Sequence, residues 1–175
     1  MKVLTCSAAS ATSSESNERA VKGLLNQMWL AHDTFQTIVT HTPLVSIDLI
    51  VRDLQGRVLL GKRRNRPARG VWFVPGGRVN KNETLDAAFG RITLTELGVE
   101  LVRSAARFKG VFEHFYPDCF AGEVTSTHYV VLAFELRIEG LGAIPPDQHS
   151  ESCWLTPSEL LAADDVHENV KVYFR

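Results

Sequence analysis

The stretch from Gly76 to Leu101, GGRVNKNETLDAAFGRITLTELGVEL, decides the fold. Its paired glycines follow Pro75 and stop a short apolar run, Trp72-Phe73-Val74. Glu83 to Leu97 then reads as a helix, with Asn82 or Thr84 as its cap and Gly98 as its stop. At about 100° per residue, Leu85, Phe89 and Ile92 share one face and Glu96 falls on it too, while Leu94 and Leu97 point elsewhere. That pattern predicts a helix covered on two sides. Glu96 breaks two local rules. A carboxylate on an apolar stripe is costly unless it is paired or metal-bound, and a negative charge near a helix carboxyl end opposes the dipole. Helix geometry leaves two accounts open. Either Glu96 reaches past the rim to solvent or an arginine, or its oxygens bind a hard cation such as magnesium.

Outward from this helix, strands dominate. LVSIDLIVRD from Leu44 alternates partly and is rich in branched residues; Leu54-Gln55-Gly56-Arg57 is a turn, and VLLGKR is its hairpin partner. RFKGVFEHFY and THYVVLAFELRI read as long strands, and the proline-containing loop IPPDQHSES leads to Cys153-Trp154-Leu155. Thr156-Pro157-Ser158-Glu159 opens a last helix, with proline in its first turn. Many strands with two clear helices predict an α+β or layered α/β/α sandwich.

Composition bounds the function. With 175 residues, 45% of them hydrophobic, the chain suits one domain with a sizeable core. A net charge of −1 argues against a nucleic-acid-binding surface or a polybasic membrane patch. The basic residues are uneven, however, with five Arg/Lys in GKRRNRPARG between Gly61 and Gly70. Cys6, Cys119 and Cys153 form no CxxC pair and leave an odd count, which fits a reduced compartment better than a disulfide scaffold or a zinc site. No apolar run reaches membrane-spanning length. MKVLTCSAASATSSESNE has too short an apolar run for a secretory signal, so a cytoplasmic location is expected. Residues 7–17 are too polar to fold alone. A weak helical period through Val21, Leu24, Leu25 and Met28 follows, read as a frayed tail or a short docking helix. The organisation expected is a polar extension over residues 1–27 and a single domain over residues 28–175.

Gly77, Glu83, Arg91, Glu96 and Gly98 supply most of the skeleton of the Nudix box. Together with TPLVSIDLIV, LLGKRRNRPARGVWFVPGGRV, GVFEHFY, THYVVL and DQH, they make the chain resemble the Nudix superfamily and, more closely, its GDP-mannose mannosyl hydrolase branch. The resemblance spans roughly Met28 to Phe174. It departs from the general box in one respect, because Ile92 and Thr95 stand where that pattern has further acidic residues.

The resemblance implies a Nudix fold and a GDP-hexose substrate, GDP-mannose above all. It implies one Mg2+ per active site, with Mn2+ as a substitute, held by Glu96, the backbone carbonyl of Gly76, Gln148 and the diphosphate oxygens. It sets Arg63 and Arg78 on the diphosphate and Tyr129 on the leaving phosphate. Asp48, a carboxylate inside an apolar strand, falls at the mannosyl side; a buried structural hydrogen-bonder is its other reading. His149 becomes the general base, an imidazole able to take a proton from water near neutral pH. His114 joins the substrate-binding set in a supporting role, whereas His32, His41, His128 and His167 suggest only surface or structural uses. A homodimer is implied by the family alone. With one helix carboxylate, one cation suits a leaving GDP better than attack on phosphorus, so water is expected to attack sugar C1 with inversion. Two rivals stand beside this reading. One is an ordinary nucleotide-sugar pyrophosphohydrolase cleaving the P–O–P bond; the other is a non-catalytic nucleotide-sugar sensor.

Overall fold

A computed structural model of the chain describes residues 30–122, 125–139 and 149–175, and of His149 and Ser150 it describes the backbone alone. Two compact units are distinguished, Met1–Phe35 and Gln36–Arg175; among the described residues every strand lies in the second. The polar extension and its weak period, residues 1–27, lie outside the described residues. A helix that the sequence pattern does not signal, α1 (His32–His41), is the first element among the described residues. Val39 is its one buried residue, and Thr40 turns its hydroxyl onto the Gln36 carbonyl at 2.8 Å. With so little apolar stripe, no periodic signal announces it.

The strands β1 (Leu44–Arg52), β2 (Val58–Arg63), β3 (Trp72–Phe73), β4 (Gly76–Arg78), β5 (Arg107–Tyr116), β6 (Thr127–Arg137) and β7 (His149–Leu155) form one mixed sheet. Its main path runs β3-β2-β1-β6-β5, with β4 on β1 and β7 on β2. The β1–β2 hairpin closes where Asp53 accepts from the amides of Gln55 (3.0 Å) and Arg57 (2.8 Å) and Gly56 adopts φ 79°. Beside β1, β6 runs parallel in a nine-residue register from Leu44↔Tyr129 to Arg52↔Arg137.

Both faces of the sheet are covered, which explains why the apolar run of β1 is nearly continuous. Ile47, Leu49 and Val51 face one core with Phe89, Ile92 and Leu97 of α2 (Leu85–Leu97). Ile50 faces the other, with Val58, Leu60, Phe73 and Ala133. Onto that second core pack Leu160 of α3 (Pro157–Ala162), Val170 of α4 (Glu168–Lys171), and Tyr173 of the closing 3₁₀ turn (Val172–Phe174). This is the layered α+β arrangement expected. No described helix is long and apolar enough to cross a membrane.

Helix α2 ends where its sequence predicts but starts two residues later, at Leu85 rather than Glu83, of the two candidate caps using Thr84. Thr84 caps it, its side chain accepting from the Ala87 amide at 3.2 Å. Gly98 closes it in the left-handed region, φ 73°, and donates to the Leu94 carbonyl. Its apolar face differs from the wheel, because Leu85 and Leu94 are exposed while Leu97 is fully buried. The helix packs through Ala88, Phe89, Ile92 and Leu97 against one sheet, and its first turn overhangs that contact. Three further expectations are corrected. The paired glycines do more than stop an apolar run: Gly76–Arg78 is itself a strand, since Ser46, Ile47 and Asp48 of β1 offer it an antiparallel edge. His149 opens strand β7 rather than sitting in a loop, because β2 pairs with the chain from that residue onward. The helix at Pro157, opened by a capping box between Thr156 and Glu159, is not the last; α4 and the 3₁₀ turn follow.

Candidate active site

The loop from β4 into α2 is braced before any ligand enters. Glu83 takes Arg91 bidentately, at 2.7 and 2.8 Å, and accepts the Asn80 amide at 2.9 Å. Arg91 also donates to the Arg78 carbonyl at 2.8 Å. Arg91, first named among the causes, draws the Glu83 carboxyl below its ordinary pKa. Glu83 is therefore committed to holding the loop. Beneath the same loop, a Cβ at Gly77 would lie 3.1 Å from Ile92 Cγ1, and Ile92 is 1% exposed. An anionic oxygen at position 92 would enter the apolar core, whereas Thr95 is exposed. Glu96 is the helix's buried carboxylate, 6% exposed.

Strand register does the rest, because residues directly opposite on neighbouring strands project from the same face. Asp48 lies opposite Gly76 on β4 and Ala133 on β6; Ser46 lies opposite Arg78; Leu44 lies opposite Tyr129, which in turn lies opposite His114 of β5. One sheet face thus collects Asp48, Arg78, Tyr129 and His114, residues spread over 82 positions of sequence. Gly76 has to be glycine here: a Cβ would come within 2.6 Å of the Ile47 carbonyl oxygen and 2.8 Å of Asp48 Oδ1.

Arg63, at the end of β2, projects over the Phe73 ring, 5.3 Å from its centroid. Its positive charge is felt by Asp48, His114, Tyr129 and His167. Its neighbours in the basic loop go elsewhere. Arg66 pairs with Asp118 at 3.1 Å, and Lys62 lies 3.9 Å from Glu151 and 5.7 Å over Trp72. Arg64, Arg66 and Arg69 line an open cleft of roughly 400 Å³ beside Phe120. Only one arginine of the cluster therefore turns towards the sheet face.

Three groups that the sequence did not single out complete the chamber. Tyr173, 1% exposed, donates from its hydroxyl to Asp48 Oδ2 at 2.7 Å, and His114 Nε2 lies 3.1 Å from that Tyr173 hydroxyl. Tyr116 packs edge-on to Tyr129, at 6.2 Å between centroids, and His167 packs against Phe73 at 5.5 Å. His167 also caps α4, its Nδ1 accepting the Asn169 amide at 3.1 Å. No local pattern marks Tyr173, which sits in the apolar run VKVYF.

The electrostatics follow from burial. Burial pushes the Asp48 carboxyl up to about 6; the Tyr173 hydrogen bond and Arg63 work against it, and the Glu96 charge adds to it. His114 is pulled down to about 4, first by burial and then by the charges of His167 and Arg63. Burial raises the phenols of Tyr129, Tyr116 and Tyr173. Burial also lowers His167. The neutral forms of both imidazoles are thus favoured around a carboxylate held at a cost.

Towards a divalent cation, the donors that fit are the buried Glu96 carboxylate and the Gly76 carbonyl, hard oxygens of the kind magnesium prefers. The Glu96 charge helps to raise the Asp48 carboxyl, a negative field at Asp48 that a cation would relieve. Among the described residues no three His, Cys, Asp or Glu side chains converge as a metal cluster, so the protein shell offered there is sparse. Gln148 lies outside the described residues. The backbone of His149 lies opposite Arg63 across β2 and β7, and its side chain is not described.

The NUDIX domain family matches residues 42–175. The low-salt glycan biosynthesis protein Agl8 of Haloferax volcanii is 45% identical over 119 residues, 68% of this chain and 74% of that protein. Among solved structures, a MutT NUDIX hydrolase from Burkholderia pseudomallei superposes with a TM-score of 0.61 at 26% identity, covering 77% of this chain and 97% of its own. A MutT protein from Methanosarcina mazei Go1 does so with a TM-score of 0.63 at 22% identity, covering 77% and 92%, which shows the fold alone.

Proposed function

The chain belongs to the NUDIX domain family, and on that premise we propose that it hydrolyses GDP-mannose, or a related GDP-hexose, to GDP and the free sugar. One observation carries the choice of bond. Helix α2 offers a single buried carboxylate, Glu96, because position 92 is given to the core and position 95 to a neutral exposed side chain. A cation held by Glu96, Gly76 and Gln148 would neutralise the diphosphate and favour its departure. Arg63 and Arg78 stabilise the negative charge that develops on the leaving diphosphate, and Tyr129 donates a hydrogen bond to it. Its raised pKa keeps that phenol protonated. On the sugar side, Asp48 supports the positive charge that builds at C1. His149 takes the proton from the attacking water, whose oxygen bonds to C1 as the C1–O bond to GDP breaks. A single displacement with one base inverts the anomeric centre. The name of the Agl8 relative, which places it in glycan biosynthesis, supports an activated sugar as substrate.

Hydrolysis in heavy-oxygen water tests the assignment. The expected label is on mannose, released first as the β-anomer from an α-linked donor, with GDP unlabelled. Label in the nucleotide, or GMP with mannose 1-phosphate as products, puts attack back at phosphorus. No turnover of any nucleotide sugar would favour a sensor.

A further inference from the structure

A carboxylate in the middle of a strand has rotamer freedom unless something holds it, and Asp48 is held from a distant part of the chain. Tyr173, 125 residues away, ties Oδ2 at 2.7 Å. Oδ1 is then the oxygen that faces Gly76, 2.8 Å from where a Cβ there would stand. The hydroxyl itself is located from a second side, by His114 Nε2 at 3.1 Å. Its ring is located from a third, edge-on to Phe112 at 4.8 Å.

The segment carrying Tyr173 is clamped before it reaches the chamber. Asp165 accepts the Trp72 amide on its carbonyl at 2.9 Å and the indole N–H on its carboxylate at 3.0 Å, and His167 donates its amide to the Trp72 carbonyl at 3.2 Å. These bonds fasten the chain to β3, one strand away from Arg63. Burying a phenol hydroxyl with two polar partners, when phenylalanine would fill the same space, costs desolvation that only its hydrogen bonds repay. Packing alone does not ask for that oxygen.

We propose that Tyr173 is a positioning residue: it fixes Asp48 so that Oδ1 is presented at the Gly76 edge, where the sugar is turned over, and His114 fixes Tyr173 in turn. The assignment rests on the reaction proposed above, in which Asp48 serves the sugar. Tyr173 touches no reacting atom. Its effect passes through Asp48, and a misplacement of about 1 Å at such a group is enough to cost on the order of 10²-fold in rate.

The test is a mutant cycle on the full chain. Tyr173→Phe keeps the ring and removes the hydroxyl. Turnover of GDP-mannose is expected to fall about 10- to 100-fold, with KM and the Kd for GDP changed less than about 2-fold. In an Asp48→Asn background, adding Tyr173→Phe should cost less than about 2-fold more, because coupled residues are non-additive. A substrate-free measurement accompanies it. The carboxyl carbon resonance of Asp48 should move on Tyr173→Phe while amide resonances of β5 and β6 away from His114 stay in place. Unchanged turnover, a full additive loss in the Asp48→Asn background, or an unmoved carboxyl resonance would each overturn the proposal. The resonance needs no turnover, so it separates failure of this inference from failure of the assigned reaction.

Discussion

His114 offers the cleanest quantitative check on the chamber. Its folded pKa lies at about 4, against 6.5 for an unperturbed imidazole. Between those values the unfolded chain binds a proton that the folded chain refuses, so stability falls as pH drops through the window and is retained above it. From about pH 7.5 to about pH 5, the cost is roughly 1.5 pKa units at 1.36 kcal/mol each, or about 2 kcal/mol. Replacing His114→Gln removes the titration while leaving an amide that can meet the Tyr173 hydroxyl. Asp48 titrates in the opposite sense, its folded carboxyl holding a proton to about 6 rather than 3.8. That contribution is common to both proteins and cancels in their difference. Urea unfolding of the two chains at both pH values is the assay. His114→Gln should gain about 2 kcal/mol on the parent as pH falls from about 7.5 to about 5, a relative shift of about 4–8 °C in Tm for a domain of this size. A stability gap that is the same at both pH values would refute the reasoning, because it would mean that His114 protonates as freely in the fold as in the unfolded chain.

Other outcomes follow from the same geometry. Glu96→Gln should abolish magnesium-dependent turnover, and paramagnetic manganese titrated with nucleotide present should find one site per chain; two or more tight sites would contradict a helix reduced to one carboxylate. Gly76→Ala should cost about 1–3 kcal/mol, the usual range for overpacking, because its methyl would meet the Ile47 carbonyl oxygen at 2.6 Å; an unchanged melting curve would show that β4 shifts freely away from β1. His149→Ala should lower turnover by about 10²- to 10⁴-fold, the range of general-base help, with GDP affinity retained; a loss of nucleotide binding instead would make it a diphosphate ligand.

Some of this protein is written locally. Thr84, the Glu83–Arg91 pair and Gly98 act within a few turns of one helix, so capping rules and spacing are enough to locate α2. The branched runs of β1 and β6 and the Asp53 turn into β2 are equally short-range. Where the reading slipped, the cause was a partner far along the chain. Gly76–Arg78 is a strand because β1 pairs with it, and Leu85 lies outside the cluster in which Phe89, Ile92 and Leu97 pack against β1.

The site divides along the same line. Glu96 could be singled out from its place on the helix, and Asp48 from being a carboxylate in an apolar strand. Their neighbours could not be inferred in this way. The parallel register of β1 with β6 is what sets Tyr129 beside Leu44, 85 positions away, and the β5–β6 register then sets His114 across from Tyr129. Tyr173 has no sequence signal at all, since a tyrosine in an apolar segment near the C-terminus reads as core, and core it is except for one oxygen. Hydrophobic patterning selects which residues are buried, but burial is non-directional. Which buried hydroxyl meets which carboxylate is decided by strand register and by where the closing segment is clamped, and those exist only in the folded chain.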